Sequence, residues 1–249
     1  MIHAWPLSGE AWSEQIPVLT AAGSCVISYN RRGFGRSDKP KGGYDYDTLA
    51  EDLQAILETL NVTDATFVGF SMGGGEVARY VSRFGGERVH SVVFASAVPP
   101  DMAKGPDNPD GPLTEEEAGE MTKGLDADPD AFYDDFTTQF FTAHGEMTVT
   151  EAQRQDALRL AKQADKRAAL ETMAAFGSTD FRNGLPKLTV ATLVIHGDSD
   201  GIVTFEGSGA RIHATIAGSD LQVIAGGPHG MNVSHADEFN RALLAFLDK

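Results

Sequence analysis

Ser71 lies in the run Thr66-Phe67-Val68-Gly69-Phe70-Ser71-Met72-Gly73-Gly74-Gly75-Glu76-Val77-Ala78. A short apolar stretch precedes it, and a helical pattern with Val77 and Tyr80 at packing spacing follows. Gly69-x-Ser71-x-Gly73 is the pattern of a nucleophile elbow, in which a serine is held at a sharp strand-to-helix turn. Side chains two residues to either side of such a turn would collide, which explains the glycines. The turn also aims the free N–H groups of the helix start at the reacting centre. A serine of this kind needs a base and an orienting acid, and the pattern predicts the chain order Ser, then Asp or Glu, then His. Two downstream stretches can supply them. Thr192-Leu193-Val194-Ile195-His196-Gly197-Asp198-Ser199-Asp200 is an apolar strand ending in a polar turn. Leu221-Gln222-Val223-Ile224 is another strand, leading into Gly226-Gly227-Pro228-His229-Gly230. Each candidate sits just past the end of a strand, where an open α/β sheet places its ligands.

Other chemistries fit less well. Asp198 and Asp200 are both available as the acid, with Asp198 also suited to capping its turn. His196-x-Asp198-x-Asp200 has metal-ligand residue types, but no second cluster at ligand spacing accompanies it, so no metal site is read. The loop Arg31-Arg32-Gly33-Phe34-Gly35-Arg36-Ser37 lacks the third glycine of a dinucleotide fingerprint, since Asp38 stands there, and is read as a tight loop. His3 and His196 read as core or loop residues, and His235 as a surface or capping residue.

These side chains need a scaffold, and the periodicities describe one. Ser24–Asn30, Ala65–Phe70, His90–Ala95, Thr192–Gly197 and Leu221–Ile224 read as strands. Thr48-x-x-Glu51 reads as a capping box ahead of the stripe Leu49, Leu53, Ile56, Leu57 and Leu60. Trp12, Ile16 and Leu19 share a helical face that Pro17 should break or kink. Strands alternating with helices predict an α/β fold with a doubly wound, mostly parallel sheet. The alternation stops at Ala97-Val98-Pro99-Pro100. From there to about Leu185 the pattern is helical, with capping boxes at Thr114-x-x-Glu117 and Thr150-x-x-Gln153 and Pro129 at a helix start. This predicts a core of residues 1–97 and 186–249 and a helical cap of residues 98–185. Glu115, Glu116, Glu117, Asp134 and Asp135 read as a solvated face of that cap. Phe140, Phe141, Met173 and Phe176 read as core or pocket wall.

At 249 residues with a formal charge of −16, the chain is an unpromising partner for nucleic acid or an acidic membrane surface. Cys25 is the one cysteine, which excludes an internal disulfide and a thiolate metal site. It reads as a small buried hydrophobe. No apolar run reaches membrane-spanning length and no signal peptide is evident, so a cytoplasmic location is the expectation.

Taken together, His3-Ala4-Trp5-Pro6, the loop Arg31–Ser37, the elbow Gly69–Gly75, Ser96–Pro100, His196–Asp200 and Pro228-His229-Gly230 resemble the α/β-hydrolase superfamily. Within it they are similar to the cofactor-free haloperoxidase (perhydrolase) and aryl-esterase branch. The resemblance implies an α/β-hydrolase fold, with Ser71 as nucleophile, Asp200 as acid and His229 as base. It also implies an oxyanion hole from the backbone N–H groups of Trp5 and Met72. Pro6, directly after the oxyanion residue, goes with perhydrolase activity in this branch; Pro6, Phe140 and Phe141 are taken as candidate pocket residues. Ala4, Asn30 and Thr204 depart from the family pattern, which has Gly, Asp and Pro at these places. Family members carry a hairpin and most of a third strand before the position of His3. Met1–Ala4 would be the remainder of that strand, between Ser24–Asn30 and Ala65–Phe70. Met1 is therefore expected not to be the natural start, or the chain to be less stable than its relatives.

The function expected is cleavage of carboxylic esters through an acyl-enzyme, with perhydrolysis of carboxylic acids by hydrogen peroxide as an added activity. No metal or organic cofactor is implied. The partner is a small-molecule ester or acid, and a homo-oligomer remains open. The competing readings are a receptor-like α/β-hydrolase with slow turnover, or a lactonase or amidase.

Overall fold

The computed structural model describes residues 1–249. In chain order the elements are α1 (Ile16–Ala21), α2 (Tyr46–Thr59), β1 (Ala65–Phe70), α3 (Met72–Phe84), β2 (Val89–Ala95), α4 (Glu115–Ala127), α5 (Pro129–Phe140), β3 (Thr142–Ala143) and β4 (Glu146–Met147). They continue with α6 (Glu151–Ala161), α7 (Lys166–Ser178), β5 (Ala191–Gly197), α8 (Gly209–Thr215), β6 (Asp220–Ile224), α9 (Met231–Ser234) and α10 (Ala236–Leu247). The main sheet has the order β1-β2-β5-β6, all parallel. Its strands are runs of β-branched and aromatic residues because both faces are covered. Phe67 points to one face, against Tyr80 of α3. Three positions on, Phe70 points to the other, where Trp12 packs on it and reaches Phe239 of α10.

Met1–Ala4 lies beside β1: Ile2 bridges Gly69 in parallel, donating to the Val68 carbonyl at 2.8 Å and accepting from the Phe70 N–H at 3.1 Å. Ser24–Asn30, expected as a strand, joins no ladder. The Met1 amine donates to the Ile27 carbonyl at 2.6 Å, but a cavity of about 480 Å³ separates most of this stretch from β1. A ladder needs a neighbour at hydrogen-bonding distance, and here the stretch faces that cavity. Cys25 is exposed rather than buried for the same reason.

Two helix starts also differ from expectation. Asp45, not Thr48, caps α2, its carboxylate accepting from the Thr48 N–H at 2.9 Å. Thr48 is therefore already inside the first turn. Pro17 starts α1 instead of breaking it, because the first helical positions have no N–H bond to lose. The capping boxes at Thr114 and Thr150 are both formed, and Pro129 opens α5 behind the cap Asp128. Helices α4 to α7 all fall between β2 and β5, and α4 packs on α7 and on α5. No helix is long and apolar enough to cross a membrane.

Candidate active site

Ser71 stands between the end of β1 and the start of α3, with φ 55° and ψ −118°, a backbone conformation that costs energy for any residue but glycine. The turn is held by the Ser71 N–H donating to Ala95 O at 2.9 Å, and by the N–H groups of Gly74 and Val98 donating to Ser71 O at 2.9 and 3.1 Å. A methyl group on Gly69 would stand 2.6 Å from the Gly73 carbonyl oxygen, and one on Gly73 2.6 Å from that of Ile2. The two glycines are thus required by close packing of three backbone segments. Met72 is the first residue of α3, so its N–H has no acceptor within the helix.

Asp200 and His229 follow β5 and β6 at the same sheet end. His229 Nδ1 lies 2.7 Å from Asp200 Oδ2, with the two side chains 1% and 0% exposed. The other carboxylate oxygen accepts from the N–H groups of Ile202 and Val203 at 2.9 and 2.8 Å. Burial alone would push the Asp200 carboxyl up. The facing His229, with hydrogen bonding from His196 and His229, outweighs burial and holds it well below the usual carboxylate range. His196 Nε2 stands 3.4 Å from Asp200 Oδ2 but 2.8 Å from Val203 O, so the carbonyl is its better partner. His229 Nε2 is buried with no hydrogen-bond partner. The imidazole is packed between Phe70, the residue before Ser71, and Phe140, at centroid distances of 5.4 and 5.1 Å. Asp198, the alternative acid, turns away and accepts from the Gly226 N–H at 2.7 Å, tying the two loops together.

A cavity of about 590 Å³ opens over Ser71. Trp5 forms part of its wall, with its indole donating to Ala169 O of α7 at 3.1 Å and packed edge-on against Phe136 and Phe176. Pro6, Phe140 and Phe141 do not line this cavity. Phe140 and Phe141 instead border a smaller cavity of about 280 Å³ and back the His229 loop, where Gly230 N–H donates to Phe140 O at 2.8 Å. They follow α5 into its last turn, which points them at the sheet. Glu117 and Asp135 are exposed, as expected of a solvated face, and they also line the chamber together with Glu120.

The matching family model, described as alpha/beta hydrolase fold, spans residues 1–236. The chain belongs to the α/β-hydrolase family. A putative non-heme chloroperoxidase from Synechocystis sp. is 42% identical over 99% of this chain and 90% of its own length. A bifunctional esterase/perhydrolase from Acinetobacter calcoaceticus is 36% identical over 98% of this chain and 89% of its own. Among solved structures, a bromoperoxidase from Bacillus anthracis superposes with a TM-score of 0.98 at 48% identity, covering all of this chain and 90% of that one. These relatives place the chain in the cofactor-free haloperoxidase branch of the α/β-hydrolases.

The three departures from the α/β-hydrolase pattern are each absorbed locally. Ala4 is buried without a positive φ. Asn30 Oδ1 accepts from the Gly9 N–H at 2.8 Å. Thr204 Oγ1 accepts from the Gly207 N–H at 3.3 Å. One feature of this α/β-hydrolase escaped sequence reading: a buried ion pair between Arg31 Nε and Glu76 Oε2 at 2.9 Å. Nothing local marks it, because the partners are 45 residues apart and each looks solvated in its own segment.

Proposed function

We propose that this α/β-hydrolase cleaves carboxylic esters through an acyl-enzyme on Ser71, with His229 as general base and Asp200 as its orienting acid. The observation that carries the reading is the buried Asp200–His229 contact at 2.7 Å with His229 Nε2 left free, beside the elbow that carries Ser71. Asp200 accepting at Nδ1 fixes the tautomer in which Nε2 can take a proton. As Ser71 Oγ bonds to the ester carbonyl carbon, its proton passes to His229 Nε2. The carbon–oxygen bond to the alcohol then breaks, and the alcohol leaves with that proton. Water attacks next, giving up its proton to His229; the Oγ–acyl bond breaks, the acid departs and Ser71 regains its hydrogen. The N–H groups of Met72 and Trp5 would hold the tetrahedral oxyanion, and losing one such donor costs ~3–4 kcal/mol. Residues 98–185 act as the cap that closes the chamber over Ser71.

The haloperoxidase and perhydrolase names of the relatives support hydrogen peroxide as a second acceptor in place of water, releasing a peracid. Pro6 contributes no N–H and fixes its own φ directly after Trp5, which would leave the neighbouring carbonyl free to meet the peroxide. Stopped-flow hydrolysis of a 4-nitrophenyl ester tests the acyl-enzyme: a burst of nitrophenolate stoichiometric with enzyme is expected. Adding peroxide should divert product to peracid, and a Pro6→Leu variant that makes peracid as fast as the parent would remove Pro6 from the reading.

A further inference from the structure

The chamber over Ser71 is unevenly built. Its walls are apolar and aromatic, with Trp5, Phe132, Phe136 and Phe176 prominent. The ionisable side chains that line it are Glu117 and Glu120 of α4 and Asp135 of α5; no lysine, arginine or histidine does. All three acids are exposed, which puts them toward the solvent side, whereas Ser71 lines the same chamber at 6% exposure. The carboxylate of Glu117 accepts from the hydroxyl and N–H of Thr114 at 2.6 and 2.8 Å. These bonds, with a weaker pull from Lys104, hold its carboxyl below the usual range. Lys104 itself borders a separate polar groove on the far side of Glu117.

We infer that this chamber sorts acyl donors by charge, admitting uncharged or cationic esters and acids in their neutral, protonated form, and turning away donors that carry an ionised carboxylate. The inference rests on the proposed reading of Ser71 as the nucleophile. A substrate carboxylate moving toward Ser71 would meet three like charges, then leave water for apolar walls with no cation to receive it. The chain's net charge of −16 adds a repulsive field at longer range. A cationic group meets the reverse: carboxylates at the mouth and aromatic faces inside.

The test uses three 4-nitrophenyl esters of similar length, whose acyl chains end in a methyl, a carboxylate or a trimethylammonium group. At low ionic strength kcat/KM for the methyl and trimethylammonium esters should exceed that of the carboxylate ester by about tenfold or more, mainly through KM. The gap should shrink in about 0.5 M salt, where screening shortens the reach of exposed charges. It should also shrink in a Glu120→Gln, Asp135→Asn double variant. Equal kcat/KM for all three esters would overturn the inference while leaving the hydrolase reading intact. A gap that neither salt nor the double variant alters would overturn it as well, since shape and not charge would then be sorting. If the methyl ester is not hydrolysed, the reading of Ser71 fails instead.

Discussion

Arg31 and Glu76 form an ion pair beneath the elbow, Nε to Oε2 at 2.9 Å, with both side chains 1% exposed. Glu76 belongs to α3, the helix that starts at the Ser71 turn. Arg31 Nη2 donates to His3 O at 3.0 Å, and its backbone N–H donates to His3 Nε2 at 3.0 Å. The Tyr29 hydroxyl donates to Glu76 Oε1, and burial beside that carboxylate pushes the phenol well up. Two residues beyond His3 comes Trp5. The pair therefore ties the helix behind the nucleophile to the loop on the other side of the proposed oxyanion hole.

Glu76→Gln should destabilise the fold by about 3–5 kcal/mol, because it strands the Arg31 charge in the interior. Against a total of about 5–15 kcal/mol, this is a large drop, readable as a lowered midpoint in urea titration. A variant within about 0.5 kcal/mol of the parent would show that the pair is better solvated than its burial indicates.

Asp200→Asn should lower kcat for ester hydrolysis by about 10⁴-fold by presenting the wrong imidazole tautomer, with little change in KM. Asp198→Asn should cost far less, since an amide oxygen can still accept from the Gly226 N–H. If Asp198→Asn does the greater damage, the acid has been misassigned. The same variant carries a pH signature. Asp200 has a folded pKa below the unfolded carboxyl value of about 3.9, so its stabilising contribution is fully present above that value and lost as the pH falls below it. The stability gap between parent and Asp200→Asn should be wider at about pH 5 than at about pH 2.5. Equal gaps at the two pH values would contradict the depressed carboxyl.

Gly197 and Gly227 bring the acid loop and the histidine loop into backbone contact: a methyl group at position 197 would stand 2.0 Å from Gly227 O. Gly197→Ala should therefore cost about 1–3 kcal/mol and reduce turnover by parting the two loops. A methyl group added at Gly119, inside α4, would meet nothing within 4 Å beyond its own stretch of helix, and Gly119→Ala should stabilise by about 0.5–1 kcal/mol through helix propensity alone. Thermal melts of the two variants should move in opposite directions; a shift in the same direction would show that helix α4 is not as open at this point as described.

The segments that carry Ser71, Asp200 and His229 were legible in the sequence, each an apolar strand and the turn after it, but the choice of Asp200 over Asp198 rested on the family resemblance, and it is Asp200 that the structure sets against His229. The capping boxes at Thr114 and Thr150 were legible within their own segments too. Ser24–Asn30 misled because its composition suits a strand, while strand formation depends on a neighbour that periodicity does not report. Glu117 and Asp135 are exposed, as a solvated face requires; what periodicity does not report is that the same positions of α4 and α5 also border the chamber over Ser71. Phe140 and Phe141, read as core or pocket wall, are buried core: Phe140 packs on the His229 ring, and both border the smaller cavity and not the chamber over Ser71.

The central claim is that Ser71 is the nucleophile, and covalent labelling tests it most directly. A fluorophosphonate probe, followed by peptide mapping, should modify the peptide containing Ser71 and no other. The Ser71→Ala variant should keep its fold by circular dichroism while losing both labelling and ester hydrolysis. Labelling of a different peptide, or ester turnover undiminished in Ser71→Ala, would contradict it.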